Sequence, residues 1–235
     1  MTAAPEPRSI AQALSARIRD HIRSGAFSAG EHLREVQLAA LFGASRTPVR
    51  HALVANEKDG LLEYTTHRGY VVCPFDKTDI ASAFDIRALI EGYAARQAAE
   101  QGLRADRQHQ AEAAIEAVAD LLRRDKPLYG AARHAWRTHK TAFHRAIAEQ
   151  TENRFVAPML ATVQQIPSVY PPIISSYNPQ SLLVYNDQHR AVLGCILGRQ
   201  GARAEFLMRE HVQLAGEAIA AAITPEPAAP ARRAG

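Results

Sequence analysis

The segment GASRTPVR, residues 43–50, decides the fold of the N-terminal part of this chain. It follows a predicted helix over Glu35–Phe42, which Gly43 ends, and it opens a second helix. Ser45 is the predicted N-cap of that second helix, and Pro48 falls in its first turn, where a missing N–H costs nothing. A helix, a glycine-containing turn and a second, capped helix form the helix-turn-helix arrangement. In that arrangement the first residues of the second helix reach base edges in the major groove of DNA.

Three side chains of this segment suit contact with DNA. Arg46 and Thr47 lie at the start of the second helix, and Arg50 is one turn further along on the same face. Arginine binds guanine bidentately or clamps phosphate, and threonine reaches a base edge or the backbone. No acidic residue occurs between Glu35 and Glu57, which favours close approach to phosphates. The alternative, for two arginines considered alone, is an ordinary solvated helix face.

A helix before this pair and a hairpin after it complete the predicted domain, over residues 9–73. The first helix has Ser9 as its predicted N-cap and Gly25 as its stop. After Gly60, the segments LLEY and GYVV are rich in β-forming residues and flank a short polar loop, which is typical of a hairpin. His67 and Arg68 lie at the tip of this wing, placed for phosphate or minor-groove contact. The apolar stripe of the first helix recurs every four residues: Ile10, Leu14, Ile18 and Ile22.

The composition indicates a globular, mainly helical protein. The chain has 235 residues, of which 47% are hydrophobic, 22% charged and only 6% aromatic. A core of alanine and branched aliphatic side chains favours helices over sandwiches and barrels. The net charge of +4 is compatible with a nucleic-acid partner. The two cysteines, Cys73 and Cys195, have no metal-site or disulfide spacing, so we interpret them as reduced thiols of a cytoplasmic protein.

The remainder of the chain predicts an all-α bundle over residues 78–223, joined to the first domain by a linker at 74–77. Helical patterning covers 78–100, 105–124, 131–150, 153–166, 179–197 and 202–223, with glycine or proline in the breaks. Residues 1–8 and 224–235 are predicted to be disordered. No apolar stretch is long enough for a signal peptide or a membrane span, so no membrane partner is expected.

Three of the ten histidines occupy notable places in this bundle. His144, His189 and His211 each have aliphatic neighbours at helical spacing, so all three can point inward. Three imidazoles from three helices could converge on a divalent metal such as zinc. The alternative is that they are satisfied histidines of the core or surface. Arg87, in FDIRALIE, is a further candidate, and its spacing to Glu91 suits an ion pair within one helix.

Residues 25–53, GAFSAGEHLREVQLAALFGASRTPVRHAL, resemble the winged-helix signature of the GntR family of bacterial regulators. The helical remainder resembles the ligand-sensing FCD domain of the FadR subfamily. The resemblance implies a homodimer that recognises a palindromic operator in double-stranded DNA. Two positions depart from the family pattern: Val36 replaces a common arginine and His51 a common glutamate. The operator contacts that the resemblance implies are Arg34, Ser45, Arg46, Thr47 and Arg50, with His67, Arg68 and Gly69 in the wing.

The resemblance also implies a ligand site in the bundle. In metal-binding FCD domains, histidines at the places of His144, His189 and His211 join an aspartate one helical turn before the first. Lys140 stands at that place here, and an ammonium repels a dication. Three arrangements stay open: the histidines hold a cation without an acid, Lys140 replaces the metal and binds the ligand's carboxylate, or Lys140 merely extends to solvent. We favour the second. Arg87 would bind a carboxylate through its two-pronged guanidinium.

The sequence therefore predicts a ligand-responsive transcription regulator, a repressor by the habit of the family, that a small carboxylate releases from its operator. The chain is not expected to be an enzyme, because the metalloprotease HExxH pair, the nucleophile elbow and the phosphate loop are missing from it. Two other functions remain as alternatives. One is a helical metal-dependent hydrolase that uses the three histidines, and the other is a DNA-binding protein that responds to no ligand.

Overall fold

The computed structural model describes residues 7–66, 69–74, 76–123, 127–164 and 179–222. The predicted wing-tip residues His67 and Arg68 lie outside these ranges, as does the predicted disordered tail. The fold is mainly α, with a small sheet near the N-terminus followed by a helical bundle, which confirms the predicted fold class. None of the helices in the described ranges is both long enough and apolar enough to cross a membrane.

The N-terminal elements pack around one apolar core. The core contains the predicted stripe of the first helix together with buried side chains from the two following helices and the sheet. Val49, Ala52 and Leu53 face this core, so the opposite face of their helix is left for solvent. The elements are α1 (Pro7–Ser24), β1 (His32–Leu33), α2 (Glu35–Phe42), α3 (Arg46–Lys58), β2 (Leu62–Thr65) and β3 (Gly69–Val72).

The wing differs from the predicted hairpin in having a third strand. β3 pairs with β2 on one side and with β1 on the other, both antiparallel, so the strand order is β1-β3-β2. β1 is only two residues long, which is too short for alternation along the sequence to reveal it. Gly43 ends α2 in the left-handed conformation (φ 63°), as predicted. Ser45 does precede α3, but its side chain makes no capping hydrogen bond, so that part of the prediction was wrong.

The C-terminal helices form a second core. α4 lies at its centre and packs along the last helix of the bundle. It begins within the predicted linker, because Asp76 and Asp79 form a reciprocal capping box at its N-terminus. The helices are α4 (Lys77–Gln101), α5 (Ala105–Leu122), α6 (Gly130–Ala148), α7 (Val156–Val163), α8 (Pro179–Leu197) and α9 (Gly201–Ala222).

Candidate DNA-reading surface and imidazole-lined cavity

The arginines at the start of α3 lie on one exposed face, as predicted, but they are not free of acidic neighbours. Glu35, at the start of α2, accepts hydrogen bonds from both of them. Arg50 donates from Nε (2.7 Å) and from Nη2 (3.0 Å), and Arg46 donates from Nη2 (3.1 Å). The hydrogen bond from Arg50 is the main cause that lowers the pKa of Glu35. Glu35 is therefore an anion that joins the two arginines.

The remaining predicted DNA contacts are also placed at this end of the domain. Ser45 and Thr47 are exposed beside Arg46. Arg34 is exposed at the N-cap position of α2, where its side chain makes no capping bond. Gly69 begins β3 with φ of 82°, a conformation that suits glycine at a tight turn. The arrangement fits the predicted role of these residues, which stays a prediction for each of them.

A cavity of about 480 Å³ lies within the helical bundle. Its wall is largely apolar, with contributions from Phe84, Trp136 and Leu160. The predicted ligand residues line it as well: Arg87, Lys140, His144, His189 and His211. A concave apolar wall with a few convergent polar groups is the usual form of a small-molecule site. The cavity therefore brings together all five residues that the sequence singled out for ligand binding.

The three histidines meet through their Nε2 atoms. Nε2 of His189 lies 3.2 Å from Nε2 of His144 and 3.0 Å from Nε2 of His211. All three side chains are buried, with exposed fractions of 3–6%. The nitrogens around a four-coordinate zinc, with bonds of about 2.0–2.1 Å, lie about 3.3 Å apart. The spacing of these three donors thus suits a metal ion of that size.

Two polar partners hold the rings in this orientation. Nδ1 of His144 lies 2.5 Å from Oε2 of Glu91, and Nδ1 of His211 lies 2.8 Å from Oε1 of Gln188. Both partners present oxygen, so both Nδ1 atoms donate a proton and both Nε2 atoms carry a lone pair. Such oxygen partners are typical of histidines that bind metals, because they fix the tautomer and the angle of the ring.

Three neutral imidazoles do not have enough N–H protons to make hydrogen bonds of both short Nε2–Nε2 contacts. A neutral imidazole has one N–H, and those of His144 and His211 are already used on their outer partners. His189 can donate its single Nε2 proton to only one of its two neighbours. The other short contact would then bring lone pair against lone pair unless a cation lies between them. The cluster fits a bound cation better than it fits three neutral rings alone.

The rings of His189 and His211 are uncharged near neutral pH. Burial is the main cause that lowers the pKa of His189 well below its ordinary value, with added repulsion from His211 and His144. Burial, followed by repulsion from His144, does the same to the pKa of His211. A neutral imidazole is the form that binds a metal. The charge state of these two rings and the spacing of the three Nε2 atoms therefore both favour a bound metal ion.

Arg87 forms the ion pair that its spacing to Glu91 predicted, and it also lies where the predicted carboxylate contact would be made. It lines the cavity, and it also donates from Nε (3.0 Å) and Nη2 (2.7 Å) to Oε1 of Glu91. Burial alone would raise the pKa of Glu91, but the charge of Arg87 and the hydrogen bonds from His144 and Arg87 hold the pKa of this carboxyl well below its usual range. Glu91 is thus an ionised carboxylate that connects Arg87 to the imidazole cluster.

Lys140 faces the cavity from α6, the helix that also carries His144. Its Nζ lies 5.3 Å from the centre of the Trp136 ring, a cation–π arrangement. Within the described ranges Lys140 makes no hydrogen bond or ion pair. Burial and the nearby Arg87 lower the pKa of Lys140 to about 8. The ammonium therefore keeps its proton at pH 7 and is available to an anion in the cavity.

Three of the residues that organise these sites were missed or given another role. In the sequence, Glu35 marks only the edge of an acid-free stretch, and Glu91 is only a possible ion-pair partner of Arg87. No local pattern singles out Gln188. The four-residue spacing to Arg87 gave a signal for Glu91, but Glu91 and His144 are 53 positions apart. Their contact becomes visible only when α4 packs against α6.

Profiles of two protein families match the chain. Residues 10–72 match the bacterial regulatory proteins of the gntR family, and residues 82–214 match the FCD domain. The two segments coincide with the winged helix and the helical bundle described above. The second match covers more than half of the chain.

Individual proteins are similar over parts of the chain or over most of it. An HTH-type transcriptional regulator of Agrobacterium vitis is 33% identical over 78 residues, which is 33% of this chain and 46% of that protein, so the alignment spans less than half of that relative. The HTH-type transcriptional repressor GlaR of Escherichia coli is 25% identical over 200 residues, covering 83% of this chain and 89% of GlaR. The structure of E. coli McbR/YncC superposes with a TM-score of 0.70 at 17% identity, over 93% of this chain and 98% of that one.

Proposed function

The chain belongs to the gntR family of bacterial regulatory proteins and carries an FCD domain, and we propose that it is a transcription regulator. Its affinity for operator DNA would change when it binds a small carboxylate. The observation that carries this proposal is the pairing of two sites in one chain. An exposed arginine face opens α3, and a cavity with cationic and imidazole groups lies in the bundle. We propose that the regulator represses transcription. We also propose that it is located in the cytoplasm.

The DNA-reading part of the proposal rests on exposure and charge. The side chains of Arg46 and Arg50 are 63% and 59% exposed, although α3 buries its other face in the domain core. Thr47 and Ser45 are exposed next to them. A dimer would present two such helices to two half-sites about one helical turn of DNA apart, which matches a palindromic operator. We propose the homodimer on the same ground.

The sensing part rests on the charges that line the cavity. Lys140 and Arg87 are the cations best placed for a carboxylate, and Arg87 offers a planar fork that carboxylates fit. The apolar wall around Phe84 and Leu160 suits a short carbon skeleton. An effector that binds one arrangement of the two domains better than another shifts the population between them, and so changes the affinity for DNA.

We propose zinc or a similar divalent ion as a cofactor, held by Nε2 of His144, His189 and His211. Three observations support this ion: the spacing of the Nε2 atoms, the oxygen partners of the Nδ1 atoms, and the lack of a proton for one of the two short contacts between Nε2 atoms. Lys140 stands where metal-binding FCD domains have an acidic ligand, so the ion would be held by the histidines alone. When bound, such an ion supplies a fixed positive centre for an anionic effector. Glu91 and Gln188 orient the rings, and Lys140 adds a second positive group at the same wall of the cavity. The site proposed here uses both the metal and Lys140, whereas the sequence alone favoured Lys140 in place of a metal.

In the part of the chain that the structure describes, the imidazole cluster has no unengaged carboxylate beside it that could act as the base of a hydrolase. Glu91 is the carboxylate in contact with the imidazole cluster, and both of its oxygens are already engaged, one by Arg87 and the other by His144. Its lowered pKa makes it a poor acceptor of a further proton. We therefore propose that the site binds its ligand without converting it. A regulator without a ligand would leave the cavity and its charged lining without a role.

The test is a selection of DNA by the purified full-length protein from a library of random duplexes. We expect a palindromic sequence to be enriched. The variant Arg46→Ala/Thr47→Ala/Arg50→Ala should bind the selected duplex at least 100-fold more weakly, since each base-reading contact discriminates by roughly 1–3 kcal/mol. Arg104→Ala/Arg123→Ala removes two exposed charges from the sensing domain and serves as the control. Equal binding by both variants would refute the DNA-reading role.

The effector is tested with the selected duplex and a panel of small carboxylic acids. At least one acid should change the affinity for the duplex by a factor of 5–150, the usual range of allosteric coupling. Lys140→Met should abolish that response while the affinity in the absence of the acid stays within about twofold. If no acid in the panel changes the affinity, the ligand-independent alternative is favoured.

A further inference from the structure

Glu35 has the position of a third member of the DNA-reading group, and this inference rests on the function proposed above. It lies at the start of α2, and it contacts residues 11 and 15 positions later on α3. Its side chain is only 19% exposed, whereas both arginines are exposed by more than half. The carboxylate is thus held within the domain while the two guanidinium groups extend from it.

The geometry of the Arg50 contact leaves the base-reading edge of that side chain open. A guanidinium has five N–H donors, and Arg50 directs one from Nε and one from Nη2 at Glu35. The Nη1 group and the second proton of Nη2 remain, and these form the end-on fork that fits O6 and N7 of guanine. Arg46 uses one donor from Nη2 and keeps the others. Glu35 therefore fixes both side chains without occupying them.

The charge of Glu35 acts in the opposite sense on DNA that lacks the right bases. Phosphates attract arginine whatever the sequence and whatever the orientation of the side chain. One carboxylate between two guanidinium groups offsets part of their charge, so non-specific binding is weakened. Base reading needs a defined orientation, which an anchored arginine holds without losing rotamer freedom on binding. The carboxylate of Glu35 thus weakens non-specific binding and also orients the two arginines for base reading.

We propose that Glu35 is a positioning residue that orients Arg46 and Arg50 for base reading and lowers the affinity of this surface for DNA of arbitrary sequence. The role is distinct from a helix-terminal contribution, since an acidic residue in the first turn of α2 would stabilise that helix wherever its side chain pointed. A loss of helix stabilisation would lower the stability of the protein, and that does not depend on which DNA is present. A loss of positioning would change the ratio of the affinities for the selected and the shuffled duplex.

The test compares Glu35→Gln with the wild-type protein on two duplexes, the one that the wild type selects and a shuffled version of it. Glu35→Gln should bind the shuffled duplex about five- to tenfold more tightly at about 0.1 M salt, with the salt dependence steeper by about one phosphate contact. The ratio of specific to non-specific affinity should fall at least tenfold. Glu63→Gln removes the same charge from an exposed site on β2 and should change the ratio less than twofold.

Glu35→Asp keeps the charge but shortens the side chain, so it cannot bridge both arginines. It should bind the shuffled duplex as weakly as the wild type does, while it loses part of the preference for the selected one. This variant also carries the test if Glu35→Gln fails to fold. An unchanged affinity ratio in a folded Glu35→Gln or Glu35→Asp protein overturns the proposal. If the wild type selects no sequence at all, the proposed function fails instead, so the two failures are distinguishable.

Discussion

Replacing Glu91 by Gln should destabilise the sensing domain strongly, because it leaves a buried arginine without its counter-ion. Arg87 is 8% exposed and Glu91 is 2% exposed, and two hydrogen bonds join them. Removing one partner of a buried ion pair costs about 3–5 kcal/mol. Arg87 borders the cavity, where water can solvate it in part, so we expect the lower end, about 3 kcal/mol. The amide would also weaken the hydrogen bond that orients His144.

The chain supplies a matched control on the same helix. Arg96 and Glu100 form an ion pair at the same four-residue spacing, with a distance of 2.7 Å, but their side chains are 50% and 45% exposed. Exposed pairs of this kind contribute about 0.3–0.5 kcal/mol. Glu100→Gln should therefore lower the free energy of unfolding by less than about 0.5 kcal/mol. The two variants remove the same charge from the same helix at sites of very different burial.

Urea denaturation and calorimetry of the full chain measure the difference. A loss of about 3 kcal/mol corresponds to a fall of roughly 6–12 °C in the melting temperature of a domain of this size. The double variant Arg87→Gln/Glu91→Gln should recover at least about 1 kcal/mol relative to the sum of the two single variants, because the unpaired charge is gone. The reasoning is refuted if Glu91→Gln costs no more than Glu100→Gln, or if the two single effects simply add.

Three further outcomes are expected. Gly216→Ala should cost about 1–3 kcal/mol, because its Cβ would lie 2.5 Å from Cβ of Phe84 in the cavity wall, whereas Gly194→Ala meets nothing within 4 Å and should be neutral or stabilising by up to about 1 kcal/mol; equal melting temperatures would contradict this. In chelator-treated protein the free energy of unfolding should fall below about pH 6.5, because the lowered pKa values of His189 and His211 let the unfolded chain bind protons that the folded chain does not. The fall should reach about 2.7 kcal/mol per pH unit for the two groups, and a wild-type slope no steeper than that of His189→Gln/His211→Gln would argue against it. Zinc at a hundredfold excess over its dissociation constant should stabilise the wild type by about 2.7 kcal/mol and leave His189→Gln unaffected, and elemental analysis that finds no stoichiometric metal after zinc loading would exclude the site.

Local signals were enough to predict much of the fold. The bounds of α2 agree with the prediction because a glycine in the left-handed conformation ends the helix at Gly43. Those of α8 agree as well. α7 begins later than predicted, at Val156, because Oδ1 of Asn153 accepts the N–H of Phe155 and forms a turn before the helix. The predicted helix, which began at residue 153, therefore included this turn.

The sites were predictable as sets of residues and not as networks. Helical spacing and the resemblance to FCD domains named the three histidines, and the structure brings them together. Their outer partners, Glu91 and Gln188, depend on how α4 packs against α6 and α8 against α9, which no local pattern encodes. The same holds for Glu35, whose contacts with Arg46 and Arg50 depend on the angle between α2 and α3. In each case the missed residue is an ordinary polar side chain whose partner is remote in sequence.

The position of α4 gives a physical reason to expect that the cavity and the DNA-reading domain influence each other. α4 begins at Lys77, soon after β3 of the wing ends, and Arg87 lies about 15 Å along it at 1.5 Å per residue. If the proposed effector carboxylate binds Arg87, it competes with Glu91 for the same guanidinium, one helix turn away on α4. The coupling cannot exceed the difference in effector affinity between the two states. A 5–150-fold response in DNA affinity therefore requires that difference to be at least about 1–3 kcal/mol.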